Sequence, residues 1–458
     1  MPRIPKKNRK PQKTVRYAAI ETLCRMERSR SPVRPLLEGI GAECRLPADD
    51  RSLAMNIVYG VLRHRQYLEW LIGRLCRHPR HKLDPYILHS LEVGLFQLFC
   101  LDRIPESAAV NETVEAVKTA GLPARLQGFV NGILRESIRQ RPTLPGSNTD
   151  PESGRPWLNH PTWLTDRWQR RFGEDEMRRI CAGNTEEPPL VLKINMTVTT
   201  RDKYRMSLAA AGIACRDGLF APQALVLPAY QGAIPLLPGY AAGHFLVQDE
   251  ATQLAPLLLG PFRAKGRYLD ACAGLGGKTC SLVELERELQ LRITAIEPEA
   301  YRYRKLGENL QRLYPGHGCT TRQCTLQDFA AAGEDRFDGV LVDAPCSGTG
   351  VTGRHPDIRW NRTEEDLIRY QAVQLELLHQ AAALTAAGGV LVYATCSLEA
   401  EENEEVIRLF LDRHPDYQLT DPEPLLPAAA GRFIAHRFFC PRPDATIDGF
   451  FAARLIHR

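Results

Sequence analysis

The chain has 458 residues, 44% of them hydrophobic and 25% charged, with a formal net charge of +5. This is the balance of a soluble globular protein with room for roughly two to four cored domains. No apolar run approaches the ~18–20 residues of a membrane span, and the basic start MPRIPKKNRKPQK has no apolar stretch behind it, unlike a secretory signal. Thirteen cysteines, with no CxxC pair and no Cys/His cluster at zinc spacing, argue for a reducing cytoplasm and against a structural metal.

Residues 1–13 read as a basic disordered tail. From Thr14 to Arg141, segments such as TVRYAAIETLCRM, DPYILHSLEVGLFQLF and PESAAVNETVEAVKTA place apolar residues at three- and four-residue steps, which predicts an all-α bundle over 14–141. Residues 1–156 carry 26 Lys and Arg against 16 Asp and Glu, whereas the remainder carries 33 against 38. The basic excess of this first part is mostly arginine, which suits contact with phosphates. The Pro-, Gly- and Ser-rich stretch 142–156 reads as a linker.

One or two helices are expected from near Pro161. Short apolar runs in PPLVLKINMT, ACRDGLFAPQALVL and GHFLVQDE then alternate with the helical RDKYRMSLAAAG, giving a small α+β module over 157–245. From 246 to 458 the rhythm is strand, helix, strand. Strands are expected at 268–272, 292–296, 339–342 and 390–394, and helices at 300–313 and 363–384. Thr363 and Asp366 stand at capping-box spacing in the second of these helices. The alternation predicts an α/β domain with a mostly parallel sheet.

Three strand ends carry chemistry. RYLDACAGLGGKT is a strand followed by a glycine turn. A Walker A loop needs glycine six residues before its lysine, and Cys272 stands there before Lys278. The next strand ends in IEPE, where Glu297 holds the place of a ribose-binding acid. A nucleoside cofactor without a polyphosphate fits this pattern, and S-adenosyl-L-methionine is the obvious one. Cys346 follows the third strand in VLVDAPCSGTG, and Cys396 follows the fourth in LVYATCSLEAEENEE. Both thiols therefore reach the sheet edge where α/β folds bind ligands.

Two thiols, an acid and a methyl donor suit methylation at carbon 5 of a pyrimidine. A thiolate adding to carbon 6 makes carbon 5 nucleophilic, an acid beside N3 assists the addition, and a proton must later leave carbon 5. Cys396, Asp343, Cys346 and the glycine loop supply those groups. The acidic run Glu399, Glu401 and Glu402 is expected to be a solvated, capped helix start. Pro345 is expected to stiffen its turn and aim a carbonyl into the pocket.

LDACAGLGGKT, FDGVLVDAPCSGTG, RHPDIRW and LVYATCSLEAEENE resemble the motifs of the Sun/Fmu family of RNA cytosine-5 methyltransferases. NIVYGVLR, AAVNETVEAVK and FVNGILR resemble the NusB-like domain of its RsmB-type bacterial members, which act on 16S rRNA. The resemblance spans 14–458. It implies a NusB-like RNA-binding bundle, a small α+β RNA-binding module and a Rossmann-like S-adenosylmethionine-dependent domain. The implied substrate is 16S rRNA or a small-subunit assembly intermediate, met by a cytoplasmic monomer without metal or membrane.

The resemblance also implies residue roles. Cys396 is the nucleophile, Cys346 assists release, and Asp343 contacts the base near N3 and also lies at the cofactor. Cys272, Ala273, Gly274, Leu275, Gly276, Gly277 and Lys278 wrap the methionine part of the cofactor, and Glu297 holds the ribose. Two departures stand out. Thr325 occupies the place of an adenine-binding acid, with Asp328 three residues on as a substitute, and Leu275 stands where relatives often have proline. Two other substrates are weighed. A tRNA is one; DNA is the other, and a DNA-type enzyme would use Cys346 as nucleophile and leave Cys396 idle. A non-catalytic assembly factor is a reading of another class, as is a P-loop NTPase.

Overall fold

The computed structural model describes residues 13–76, 80–333 and 336–458. The tail expected over 1–13 lies outside them except for Lys13. The chain divides into two compact units, residues 1–186 with 355–362, and residues 187–354 with 363–458.

The first unit is helical, as the periodicity predicts. Seven helices run from Val15–Ser29 to Ala124–Gln140, followed by Thr162–Phe172 and Glu174–Thr185. The helix Pro85–Cys100 is buried from Ile87 to Leu98 without a break, and its polar members are paired inside, His89 with Glu92 at 2.8 Å, and Ser90 and Gln97 with the carbonyls of Tyr86 and Val93. Gly60 faces it so closely that a Cβ there would stand 1.9 Å from the Phe96 ring.

Residues 355–362, from the RHPDIRW motif, belong to this unit although they lie far along the chain. The buried Arg359 guanidinium donates to the carbonyls of Asn159 at 3.1 Å and Asn184 at 2.7 Å. Trp360 donates to the Leu62 carbonyl at 2.9 Å, and Asp357 accepts the Val33 N–H at 3.0 Å. By contact the first unit ends at 186/187. The two helices after Pro161 stay with the bundle, where Arg359 ties their segment down.

The second unit holds two sheets. The strands are β1 (Leu190–Ile194), β2 (Arg216–Asp217), β3 (Ala224–Leu227), β4 (Phe245–Val247), β5 (Arg267–Asp270), β6 (Arg292–Ile296), β7 (Thr320–Arg322), β8 (Phe337–Asp343), β9 (Thr385–Thr395), β10 (Tyr417–Thr420), β11 (Ile434–Ala435), β12 (Phe438–Phe439) and β13 (Phe451–His457). The small antiparallel sheet has the order β2-β3-β1-β4, and the large one β11-β12-β13-β9-β8-β5-β6-β7, with β10 on β13. The five strands from β5 to β9 pair in parallel, while β13 runs antiparallel to β9.

Lys193 on β1 pairs with Glu284 at 2.9 Å, on the helix that follows the glycine loop. The small sheet is thereby tied to that helix by a buried ion pair within one unit. The helices Ala300–Leu313 and Glu364–Leu384 form where expected, and the second starts in a Thr363–Asp366 capping box. Among the described residues no helix is long and apolar enough to cross a membrane.

Candidate active site

In the large sheet β5 lies between β6 and β8. The chain runs from β5 to β6 on one side and returns to β8 on the other, so the strand order reverses at β5 and β8. Parallel sheets open a ligand crevice beyond the carboxyl ends of strands at such a reversal. The glycine loop, Glu297, Asp343, Cys346 and Cys396 all follow strands at that edge.

The glycine loop is built to turn back on itself. Gly274 and Gly276 have φ of +56° and +89°, a region disfavoured for side chains. A Cβ on Gly276 would also stand 2.7 Å from Leu306. The Gly274 N–H donates to Glu297 Oε2 at 3.0 Å, and the Glu299 N–H donates to Oε1 at 2.9 Å. Glu297 thereby links the first two strand ends. Leu275 is half exposed, and its carbonyl accepts from Asn309 at 2.9 Å. Behind the loop Asp270 is fully buried and accepts the Thr279 hydroxyl at 2.6 Å. Burial pushes its carboxyl up to about 6, against the pull of that hydroxyl.

Lys278 Nζ pairs with Asp343 Oδ2 at 2.5 Å and lies 5.3 Å from the centre of the Phe450 ring. The pair spans the reversal point from the β5 loop to the end of β8. Sequence reasoning placed both residues in the site but not in contact, since they lie 65 residues apart. Cys346 and Cys396 meet with their sulfurs 3.2 Å apart. The Cys346 thiol is held well above its ordinary value, first by its hydrogen bond with Cys396 and then by burial.

Two expectations need correction. The acidic run is not a solvated helix start, because Glu399 and Glu402 are 1% and 0% exposed. Glu402 is drawn inward by four donors, which are the Ser347 N–H, the hydroxyls of Ser347 and Ser397, and the Gln374 amide. The Pro345 carbonyl, for its part, is taken by the Gln374 amide at 3.0 Å. The serine after each cysteine was the overlooked signal, a repeated Cys-Ser at two strand ends. Thr325 caps the short helix Leu326–Ala331 just past β7, and its hydroxyl donates to the exposed Asp328 at 2.6 Å. This places the pair at the same sheet edge, with one Asp328 oxygen already engaged.

The chain is 36% identical, over 88% of its length and 90% of the relative's, to ribosomal RNA small subunit methyltransferase B of Salmonella paratyphi B. The chain belongs to that family. It is also 32% identical, over the same shares, to a probable ribosomal RNA small subunit methyltransferase B of Bacillus subtilis. Family models match as 16S rRNA methyltransferase RsmB/F over 257–456, the NusB family over 13–139, and an RsmF/B-like ferredoxin-like domain over 160–232.

Among solved structures, that of PH0851 shares the fold across 99% of both chains, with a TM-score of 0.76 and 23% identity. A methyltransferase homolog from Pyrococcus horikoshii covers 66% of this chain and 96% of its own, with a TM-score of 0.55 and 26% identity. The protein is an RNA methyltransferase of the NusB-bearing kind, and the family implies S-adenosylmethionine as methyl donor. The residues fit such a donor: a positive-φ glycine turn, a ribose-type acid at the next strand end, and a buried Asp270 oxygen without a partner.

Proposed function

We infer that the protein methylates carbon 5 of a cytosine in 16S rRNA with Cys396 as nucleophile and Cys346 as the group that assists release. The observation that carries this reading is the meeting of two thiols at 3.2 Å beside the Lys278–Asp343 pair. One thiol suffices to add to carbon 6. A second within reach of the same atoms has a use only if the adduct must later be resolved. Residues 272–278 and Glu297 would hold S-adenosylmethionine, which would supply an electrophilic methyl group. Asp328 is the proposed adenine contact, through the oxygen that Thr325 leaves open.

The residues of this chain do the rest. The Cys396 sulfur bonds to carbon 6 while Asp343, steadied by Lys278, holds the N3 side of the ring. Carbon 5 then carries the electron pair that takes the methyl group. Cys346 takes up the carbon 5 proton as its own thiol proton passes across the 3.2 Å contact to the departing Cys396 sulfur, and the freed electron pair re-forms the carbon 5–carbon 6 double bond as the carbon 6–sulfur bond breaks. The raised Cys346 thiol, which carries a proton to give, is consistent with this relay. The target base must lie outside a helix for either atom to be reached. A tRNA remains the alternative substrate, and its test is the same assay with tRNA.

The deciding experiment is transfer of labelled methyl to 16S rRNA by wild type, Cys396→Ala and Cys346→Ala, followed by nuclease digestion and identification of the methylated nucleoside. Denaturing gels report protein–RNA adducts. Cys396→Ala is expected to lose transfer by at least about 10³-fold, and Cys346→Ala to accumulate adduct. An adduct in Cys396→Ala, and none in Cys346→Ala, reverses the roles to those of the DNA-type enzymes.

A further inference from the structure

Each cysteine-bearing turn carries a serine immediately after its thiol. Ser347 follows Cys346 beyond β8, and Ser397 follows Cys396 beyond β9. Both are buried, and both donate to one buried carboxylate, Glu402, from the turn Ala400–Glu402. Oε1 accepts the Ser347 N–H at 2.8 Å and the Gln374 amide at 3.0 Å. Oε2 accepts the Ser397 hydroxyl at 2.5 Å and the Ser347 hydroxyl. The same Gln374 amide reaches the Pro345 carbonyl. The residue after each cysteine is therefore tied to Glu402 directly, and Pro345, before Cys346, is tied to it through Gln374.

We propose that Glu402 is a positioning residue that clasps the two turns and sets the separation at which the Cys346 and Cys396 thiols face one base. This rests on the two-cysteine reading above. Burial pushes the Glu402 carboxyl up, and the four donated hydrogen bonds, which fill the acceptor sites of a carboxylate, pull the other way. A neutral amide in its place must turn an N–H₂ toward donors, so part of the clasp opens. The Glu402 charge also adds to the Cys396 contact and to burial in holding the proton on Cys346. The other ionisable groups at this edge are Asp343, paired with Lys278; Glu297 and the buried Asp270 at the glycine loop; and the buried Glu399, whose N–H donates to the Ser397 hydroxyl.

The test uses full-length Glu402→Gln and Ser397→Ala beside wild type and Cys396→Ala. The readouts are steady-state methyl transfer to 16S rRNA, S-adenosylmethionine affinity by calorimetry, melting temperature, and peptide-resolved alkylation of Cys346 by iodoacetamide across pH. Glu402→Gln is expected to lower kcat about 10- to 100-fold, the cost of a small misplacement of reacting groups, with cofactor affinity unchanged. The Cys346 alkylation midpoint is expected to move to lower pH. The midpoint reports the charge beside Cys346, while a fall in kcat at unchanged cofactor affinity and melting temperature reports lost positioning, which a merely structural role would not give. Ser397→Ala, which leaves the carboxylate in place, is expected to lower kcat with little change in melting temperature, and so serves should Glu402→Gln fold poorly. Wild-type kcat in Ser397→Ala, or in a folded Glu402→Gln with an unmoved midpoint, overturns the inference while Cys396→Ala remains inactive. Full transfer by Cys396→Ala overturns the two-cysteine reading and the inference with it.

Discussion

Asp270 shows how a single buried group shapes the stability of this site. Its carboxyl has no exposure and one hydroxyl partner, Thr279, so burial dominates and raises it to about 6. A raised carboxyl means that the folded state binds more protons than the unfolded state between about pH 4 and 6. Its contribution therefore weakens as pH rises through that window, by up to about 3 kcal/mol in total. Asp270→Asn removes the titration. The difference in urea-unfolding free energy between wild type and variant should change across pH 4 to 6.5, with wild type losing ground as pH rises. A constant difference would refute the assignment. The neighbouring cysteines were legible because each sits at the end of an apolar strand. Glu402 was not, because an acidic run before a helix looks the same whether it faces water or two buried serines.

At the level of elements, the bundle depends on how closely its helices approach. The Phe96 ring fills the space above Gly60, so Gly60→Ala must displace a buried aromatic. Overpacking of this kind costs about 1–3 kcal/mol, more than the gain of ~0.5–1 kcal/mol from replacing a helical glycine. Gly73, in the helix Arg65–Leu75, meets nothing within 4 Å, and Gly73→Ala should stabilise by that gain. Opposite shifts of the urea midpoint in the two variants are expected, and shifts of the same sign would contradict the packing argument. The strands from β5 to β9 were mostly legible as apolar runs. The exception is β7, three residues of Thr-Thr-Arg with no hydrophobic signal, which is a strand only because β6 offers it a ladder. The C-terminal strands from β10 to β13 likewise gave no motif, since their role is to pair with β9 and with one another.

For the whole molecule, charge distribution carries the expected encounter with RNA. The helix Ala124–Gln140 exposes Arg125 and Arg135. If this face contacts phosphates, Arg125→Glu with Arg135→Glu should weaken 16S rRNA binding and reduce the slope of log affinity against log salt by about one to two units. Cofactor affinity should stay unchanged. Filter binding at several salt concentrations measures the slope, and an unaltered slope would move the RNA contact elsewhere. Point substitution is the right tool here. Deleting residues 1–141 would also strip Leu62 and Val33 from Trp360 and Asp357, and so disturb the segment 355–362.

By itself the sequence determined the helical first part, the alternation of the later part, the glycine turn and the two cysteines. These are short-range patterns: periodicity, turn chemistry and a residue type at the end of a strand. The tertiary structure alone decided which distant residues meet. It put Arg359 against Asn159 and Asn184, Lys278 against Asp343, and Glu402 beneath both cysteine turns. A buried charge has no local signature. It becomes tolerable only when the folded chain brings donors or acceptors to it from elsewhere, so its partners cannot be read before the fold is closed.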